Sequence, residues 1–312
     1  METLRRIRPN FLQKGAKVRL IAPARKVTSE EMLPAIQALK KQGWIPELGD
    51  NLYASDHQFG GTDEQRLSDL QAALDDPNLQ AIWCARGGYG ALRILPNLKF
   101  EGIRQFPKWL IGFSDITVIQ SALVKQDIIS LHGPMAFSLT GNRTDATSIR
   151  LLWQTLKGNL SPIQYRHLLK PPLIREGIAT APLIGGNLSL LNQLSGTPWQ
   201  PDTRGCILFL EDLDEYLYHI DRMLRNLKAA GWLDHLAGLV VGSFSDLKDH
   251  TIPFGKNGLE IIAEIMESVN CPIAWYFPAG HEKKNYPLMI GETYTLEVKG
   301  HTVTLSPQNI KE

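Results

Sequence analysis

In the first half of the chain, short apolar runs alternate with segments whose apolar residues recur every three or four positions. Lys17-Val-Arg-Leu-Ile-Ala-Pro23 reads as a strand ended by proline, and Ser29 to about Gln42 as a helix stopped by Gly43. Thr62-Asp-Glu-Gln65 has the form of a capping box, and Leu67, Leu70 and Leu74 continue one apolar face behind it. Leu79–Ala85 reads as the next strand, followed by a glycine turn and a short helix near Leu92. Trp109–Phe113 is a further strand leading into a helix over Asp115–Val124, and Ile128–Leu131 closes the series. Such alternation predicts a mostly parallel sheet covered on both faces.

The second half reads differently. Strands are expected at Gly205–Leu210, Gly238–Gly242, Ile273–Phe277, Tyr294–Val298 and Thr302–Leu305, the last two joined by Lys299-Gly300. Between them an amphipathic helix runs from Asp214 to about Lys228, with Tyr216, Leu217, Ile220, Leu224 and Leu227 on one stripe. After a helix over Thr147–Leu156, Ser161-Pro162 and Lys170-Pro-Pro172 begin a polar stretch with the character of a linker. The expected fold class is α/β. A Rossmann-like N-terminal domain with a mostly parallel sheet spans 1–165, a linker 166–180, and a mixed α/β domain with short terminal strands 181–312.

Composition adds exclusions. The 312 residues are 43% hydrophobic and 21% charged, which suits a buried core, and the length suits two domains. A net charge of +1, without strong clustering, argues against a nucleic-acid partner. Cys84, Cys206 and Cys271 form no CxxC pair and read as buried thiols in a reducing compartment. The first residues carry no apolar stretch of signal-peptide type, and no run has the length to span a bilayer, so a soluble cytoplasmic protein is expected.

In an open α/β sheet, ligands bind where strands end and helices begin. Two such edges are rich in signals. Ala85-Arg-Gly-Gly-Tyr-Gly90 offers adjacent glycines whose amides can approach a ligand, although a bare strand–helix turn would use them too. Gly112-Phe-Ser114-Asp-Ile116 sets a serine between strand and helix, the arrangement of a nucleophile elbow, but equally that of a helix cap. A nucleophilic serine needs a base and the base an orienting acceptor. Among eight histidines, His132 and His281 follow strands; His57, His235, His250 and His301 lie in polar contexts, His219 on the long helix and His167 in the linker region. His281-Glu-Lys-Lys-Asn285 lacks the second histidine of a zincin helix. Glu211 opens the acidic run Glu-Asp-Leu-Asp-Glu215, which a solvated helix N-terminus would also explain.

Seven stretches in order give the chain a resemblance to the LD-carboxypeptidases, serine peptidases that include murein tetrapeptide carboxypeptidases and microcin C immunity peptidases. They are Ile21-Ala-Pro-Ala24, Ala85-Arg-Gly-Gly-Tyr-Gly90, Ile111-Gly-Phe-Ser-Asp-Ile-Thr117, Leu131-His-Gly-Pro134, Gly185-Gly-Asn-Leu-Ser189, Leu210-Glu-Asp212 and Pro278-Ala-Gly-His281. The resemblance implies a catalytic triad of Ser114, His281 and Glu211, in a cleft between domains. It also implies an oxyanion hole from the backbone amides of Asp115 and one of Gly87 and Gly88, with no metal and no cofactor.

The implied reaction is acyl transfer from a muropeptide tetrapeptide, releasing its terminal D-alanine during cell-wall recycling, by a homodimeric enzyme without membrane partner. Arg86 is the candidate for the substrate's free carboxylate, against a salt-bridge role; Asn187 could contact the peptide, or cap a helix. Two other readings stand beside this one. An immunity-type peptidase would cleave an aminoacyl-nucleotide antibiotic, but no insertion for a nucleobase loop is evident between Pro134 and Gly185. A non-catalytic two-domain binding protein would use Ser114 only as a cap.

Overall fold

The computed structural model describes residues 6–141, 143–169 and 173–308. Its strands are β1 (Lys17–Ile21), β2 (Ile45–Leu48), β3 (Ala81–Cys84), β4 (Trp109–Gly112), β5 (Ser130–His132), β6 (Ile163–Arg166) and β7 (Gly177–Asn187). There follow β8 (Ile207–Leu213), β9 (Gly238–Ser245), β10 (Ile273–Ala274), β11 (Leu288–Ile290), β12 (Thr293–Lys299) and β13 (Thr302–Pro307). The chain divides into two compact units, Met1–Asn159 with Lys283–Gly291 and Leu160–Glu282 with Glu292–Glu312.

Unit 1 holds a six-stranded sheet in the order β11-β5-β4-β3-β1-β2. All neighbours are parallel except β11, which pairs antiparallel with β5. β3 and β4 are buried along their whole length, as expected of strands covered on both faces. The chain visits β2 on one side of β1 and then crosses to β3 on the other, so the β1 and β3 ends flank a switch in winding direction. Because β1, β3, β4 and β5 run parallel, the segments after Ile21, Cys84, Gly112 and His132 emerge at one edge.

Unit 2 holds a seven-stranded mixed sheet in the order β10-β9-β8-β7-β12-β13-β6. β7 to β10 are parallel, while β12, β13 and β6 add antiparallel pairs. β7 serves both halves: Gly177–Pro182 pairs with β12 and Leu183–Asn187 with β8. The stripe expected on the long helix is real in part. The helix is Leu217–Ala229, with Ile220, Leu224 and Leu227 buried and Tyr216 at its N-cap.

Several expectations need correction. The boundary falls at 159/160 rather than 165/166, because β6 is hydrogen-bonded to β13 of the second sheet. The stretch 166–180 is not simply a connector: its last residues open β7, while 170–172 lie outside the described residues. Lys283–Gly291, expected in the C-terminal domain, belongs to unit 1, since Leu288–Ile290 pairs with Ser130–His132. β2 was not signalled because Ile45-Pro-Glu-Leu48 is a short edge strand with proline, and its half-exposed positions leave no apolar run. The strand expected over 273–277 stops at Ala274, and Tyr276 turns out of it with φ +56°. The capping box Thr62–Gln65 is present, and all three cysteines are buried.

One buried cation fixes the approach to β4. Lys108, fully buried, donates from Nζ to the carbonyls of Ala73, Leu74 (2.9 Å) and Asp76 at the C-terminal end of the helix Asp63–Asp75. These carbonyls carry the negative end of the helix dipole and have no further helical partner. Lys108→Met leaves them unsatisfied in an apolar site. The expected loss is about 2–3 kcal/mol of unfolding free energy, read from the urea midpoint; an unchanged midpoint would show that the lysine contributes nothing.

Candidate active site

Ser114 stands directly after β4, in a 3-10 turn over Ser114–Ile116 that runs into the helix Thr117–Lys125. Its backbone is left-handed, with φ +61°. A residue with a Cβ pays roughly 1–2 kcal/mol for that conformation. The cap reading is not supported: the caps are Phe113 for the turn and Ile116 for the helix, and neither has a side-chain cap bond. The conformation is that of an elbow, in which a sharp strand-to-helix turn exposes a hydroxyl at the sheet edge.

The glycine turn after β3 lies against this elbow. A Cβ built on Gly87 would stand 3.1 Å from Ser114 Cβ and 3.3 Å from Ser114 Oγ, so a side chain there would crowd the hydroxyl. A Cβ on Gly88 would instead run into the stem of Arg25. Of the two glycines, Gly87 is the one beside Ser114.

A single peptide bond anchors the far end of this turn. Asp115, fully buried, accepts from the Ala91 amide through Oδ2 at 2.7 Å. Arg66, also buried, donates from Nη1 to the Gly90 carbonyl at 2.8 Å and to the Pro23 carbonyl at 2.9 Å. The Gly90–Ala91 peptide is therefore held from both its oxygen and its nitrogen. Burial pushes the Asp115 carboxyl up to about 6, against the Ala91 bond and the charges of Arg66 and Arg25. Sequence reading valued Asp115 for its amide alone. The available signal that the side chain is engaged too is that Asp115 is the one charged residue in Phe113–Leu123.

In unit 2, Glu211 lies in β8 and is fully buried. Its Oε2 is 2.6 Å from His281 Nδ1, on the loop after β10. The register of β8 against β9 shifts between Leu210 and Asp212, where Gly242 and Ser243 of β9 stand against the single residue Glu211, so the bulge is on β9. Gly280, at φ +126°, lets the histidine loop close down: a Cβ there would meet Ser243 Oγ and would stand 2.9 Å from Glu211 Oε2. The hydrogen bonds Ser243 N to Ala279 O and Phe277 N to Val241 O tie the same loop to β9.

With Nδ1–H donated to the carboxylate, Nε2 carries the lone pair of the neutral ring. Burial works against a charge on His281, but the Glu211 carboxylate, its hydrogen bond and the Asp212 charge outweigh it, so the imidazole sits above its usual range. Asp212 is pushed up to about 7 by burial and by the Glu211 charge. It accepts from Asn187 Nδ2 and from the Ser189 and Leu213 amides.

Geometry also sorts the other candidates. Asn187 caps the helix Leu188–Leu194, accepting from the Leu190 amide and the Ser189 hydroxyl, and is buried. Arg86 makes no ion pair among the described residues; its guanidinium stacks on Phe137 at 4.2 Å. His132 is buried, with Nε2 3.2 Å from Asn285 Oδ1. His219 forms a second histidine–carboxylate pair with Glu215, 2.6 Å, but more exposed, and its Nε2 already meets the Tyr218 hydroxyl. His57 pairs with Asp56, His167 packs edge-on against His301, and His250 stacks on Tyr216. Among the described residues, no group of three or more His, Cys, Asp and Glu is placed to hold a metal ion, and no helix is long and apolar enough to cross a membrane.

Comparison with known proteins gives two family matches, an LD-carboxypeptidase N-terminal domain over residues 18–133 and an LD-carboxypeptidase C-terminal domain over 180–296. A probable murein peptide carboxypeptidase of Bacillus subtilis is 33% identical, covering 96% of this chain and 94% of its own. The murein tetrapeptide carboxypeptidase of Pseudomonas aeruginosa is 32% identical over 90% of this chain and 93% of its own. A muramoyltetrapeptide carboxypeptidase from Oxalobacter formigenes superposes with a TM-score of 0.85 at 28% identity, covering 95% of this chain and all of that one. A microcin C7 self immunity protein shares the fold at 20% identity, with a TM-score of 0.84 over 98% of this chain and all of its own.

The left-handed turn yields a stability test. Glycine adopts φ near +61° without the Cβ penalty, whereas alanine retains it. Ser114→Gly is therefore expected to be more stable than Ser114→Ala by about 1 kcal/mol in chemical denaturation. Equal stabilities would mean that the turn is unstrained.

Proposed function

Because the chain belongs to the LD-carboxypeptidase family and is a serine-type carboxypeptidase, we propose that it releases the terminal D-alanine of a murein tetrapeptide through Ser114, His281 and Glu211. The observation that carries this reading is the 2.6 Å contact between the fully buried Glu211 and His281 Nδ1, which in the neutral ring makes Nε2 the proton acceptor. The left-handed turn and the absence of a capping role support Ser114 as nucleophile. The names of the relatives from Pseudomonas and Oxalobacter support the tetrapeptide as substrate.

In this mechanism His281 Nε2 takes the Ser114 hydroxyl proton as Oγ bonds to the scissile carbonyl carbon. Glu211 holds the ring orientation and stabilises the imidazolium that forms. The oxyanion is held by the Asp115 amide and by an amide of the glycine turn, for which the contact with Ser114 favours Gly87 over Gly88. The imidazolium then returns its proton to the departing amine as the C–N bond breaks, which frees D-alanine. Water, deprotonated by the same histidine, hydrolyses the acyl-enzyme. The chemistry calls on no cofactor. Asn187 is committed to its helix cap, which favours a supporting role over direct contact with the peptide.

The test is loss of one D-alanine from the tetrapeptide, followed by mass spectrometry, with an aminoacyl sulfamoyl nucleotide as the competing substrate. Release of D-alanine that disappears in Ser114→Ala is expected. Retained turnover in that variant would remove the nucleophile, and cleavage of the nucleotide conjugate alone would assign the immunity-type reaction.

The pH profile checks the base. His281 is protonated more readily than a free histidine, so the acid limb of kcat/KM is expected above pH 6.5. In Glu211→Gln the charge that raises the imidazole is gone while burial remains. The limb should move to lower pH, and kcat should fall by about 10²–10⁴-fold. A limb that stays in place would separate Glu211 from the base.

A further inference from the structure

Three guanidinium groups gather around the glycine turn that borders the candidate nucleophile, with no ion-pair partner among the described residues. Arg25 follows β1, Arg86 follows β3, and Arg143 lies beyond the segment after β5. The Arg86 guanidinium carbon is 4.2 Å from the centroid of the Phe137 ring and that of Arg143 is 4.3 Å from it, so one ring holds two cations. Phe137 is itself fixed at the end of β3, its amide donating to the Ala85 carbonyl at 2.9 Å. The Arg25 stem lies over Gly88, and the Arg25 amide donates to the Gly87 carbonyl at 3.3 Å. Gly87 in turn borders Ser114.

The charge balance of this cluster is uneven. Burial and the charges of Arg25 and Arg143 disfavour the charge on Arg86, and Glu31 is the acid that favours it. Glu31 is already engaged in the cap at Thr28, accepting from that amide at 2.8 Å. The buried Asp115 carboxylate, which feels Arg25, is taken up by the Ala91 amide. None of the three arginines forms an ion pair with an acidic side chain among the described residues. Like charges held together in this way are stabilised by an external anion, and guanidinium groups match a carboxylate with paired hydrogen bonds.

Topology points to the same place. Arg25 and Arg86 leave adjacent parallel strands at the switch in winding direction, where open α/β sheets bind ligands. We propose that Arg86 and Arg143, stacked on Phe137, and Arg25, whose stem lies over Gly88, form the receptor for the free α-carboxylate of the residue that leaves. This rests on the carboxypeptidase reading and extends it, since Arg86 alone was singled out by sequence. The receptor makes the enzyme require a terminal acid: a peptide blocked at its C-terminus presents no counter-ion to the cluster.

Binding tests the receptor separately from turnover. The full-length Ser114→Ala protein is titrated calorimetrically with a murein tetrapeptide and with its C-terminal amide. The acid is expected to bind about tenfold or more tightly than the amide, in line with charge-assisted hydrogen bonds. Arg25→Ala and Arg143→Ala should each weaken the acid while leaving the amide unchanged, and the double variant, which keeps Arg86, should lose most of the preference. Arg143→Lys should restore part of the preference, and thermal melts matching the parent show that the exposed substitutions leave the fold intact. Equal binding of acid and amide, binding of neither, or a preference undiminished in the double variant would each overturn the proposal. Preference without hydrolysis by the unmutated protein would leave the receptor standing and remove the carboxypeptidase reaction; hydrolysis without preference would do the reverse.

Discussion

The left-handed backbone at Ser114 is a local cost that persists only because its surroundings leave it no alternative. On one side, Gly112 is bound through its carbonyl by the Gly133 amide and by the Gln120 side chain. On the other, the Ile116 amide closes the turn onto the Phe113 carbonyl. The Asp115 carboxylate reaches across to the Ala91 amide, and Gly87 is packed against the serine itself. The Gly133, Ala91 and Gly87 contacts join segments that leave different parallel strands of the sheet, while the Gln120 and Ile116 contacts close the turn on itself. The strain is thus sustained by the sheet edge as a whole, which is the arrangement expected where a side chain must be presented and not packed away.

Buried carboxylates do the positioning in both units, by different means. Asp115 gives up solvation to hold one end of a peptide bond whose other end is held by Arg66, and the pair fixes the glycine turn. Glu211 gives up solvation to hold an imidazole, and it does so opposite a bulge in β9, where Gly280 removes the side chain that would keep the histidine loop away. Isolated charges in such places would be costly. What makes them tolerable is a short hydrogen bond to each and a second charge within reach: Arg66 for Asp115, and the imidazolium for Glu211 once a proton has moved.

The family relationship and these geometries support each other at different levels. Two domain matches and relatives at 32–33% identity establish what kind of protein this is. The atoms add reasons. One histidine–carboxylate pair joins Glu211, fully buried within β8, to His281 on the loop after β10, while the other, His219 with Glu215, is more exposed and spans the N-terminus of one helix, Glu215 lying just before its N-cap. Distance alone would not separate them, since both are 2.6 Å.

The sequence by itself determined the local alphabet. Apolar runs marked β1, β3, β4 and β8, the Thr62 capping box marked a helix start, and the serine between strand and helix marked the elbow, because these depend on neighbours within a few positions. Ordered motifs then named the family and with it Ser114, Glu211 and His281. Short edge strands escaped notice: Ile45–Leu48 carries a proline, and Leu288–Ile290 is three residues whose strand character comes wholly from a partner some 150 positions away. Tertiary structure alone decided that Ser114 takes φ +61° and caps nothing, and that Gly87 and not Gly88 borders it. It also decided that Asn187 caps a helix, that Asp115 acts through its side chain, and that Arg143 joins Arg86 on the Phe137 ring. Periodicity reports which face of an element is buried. It carries no information on which strand ends share an edge, and it is at that edge that the chemistry is assembled.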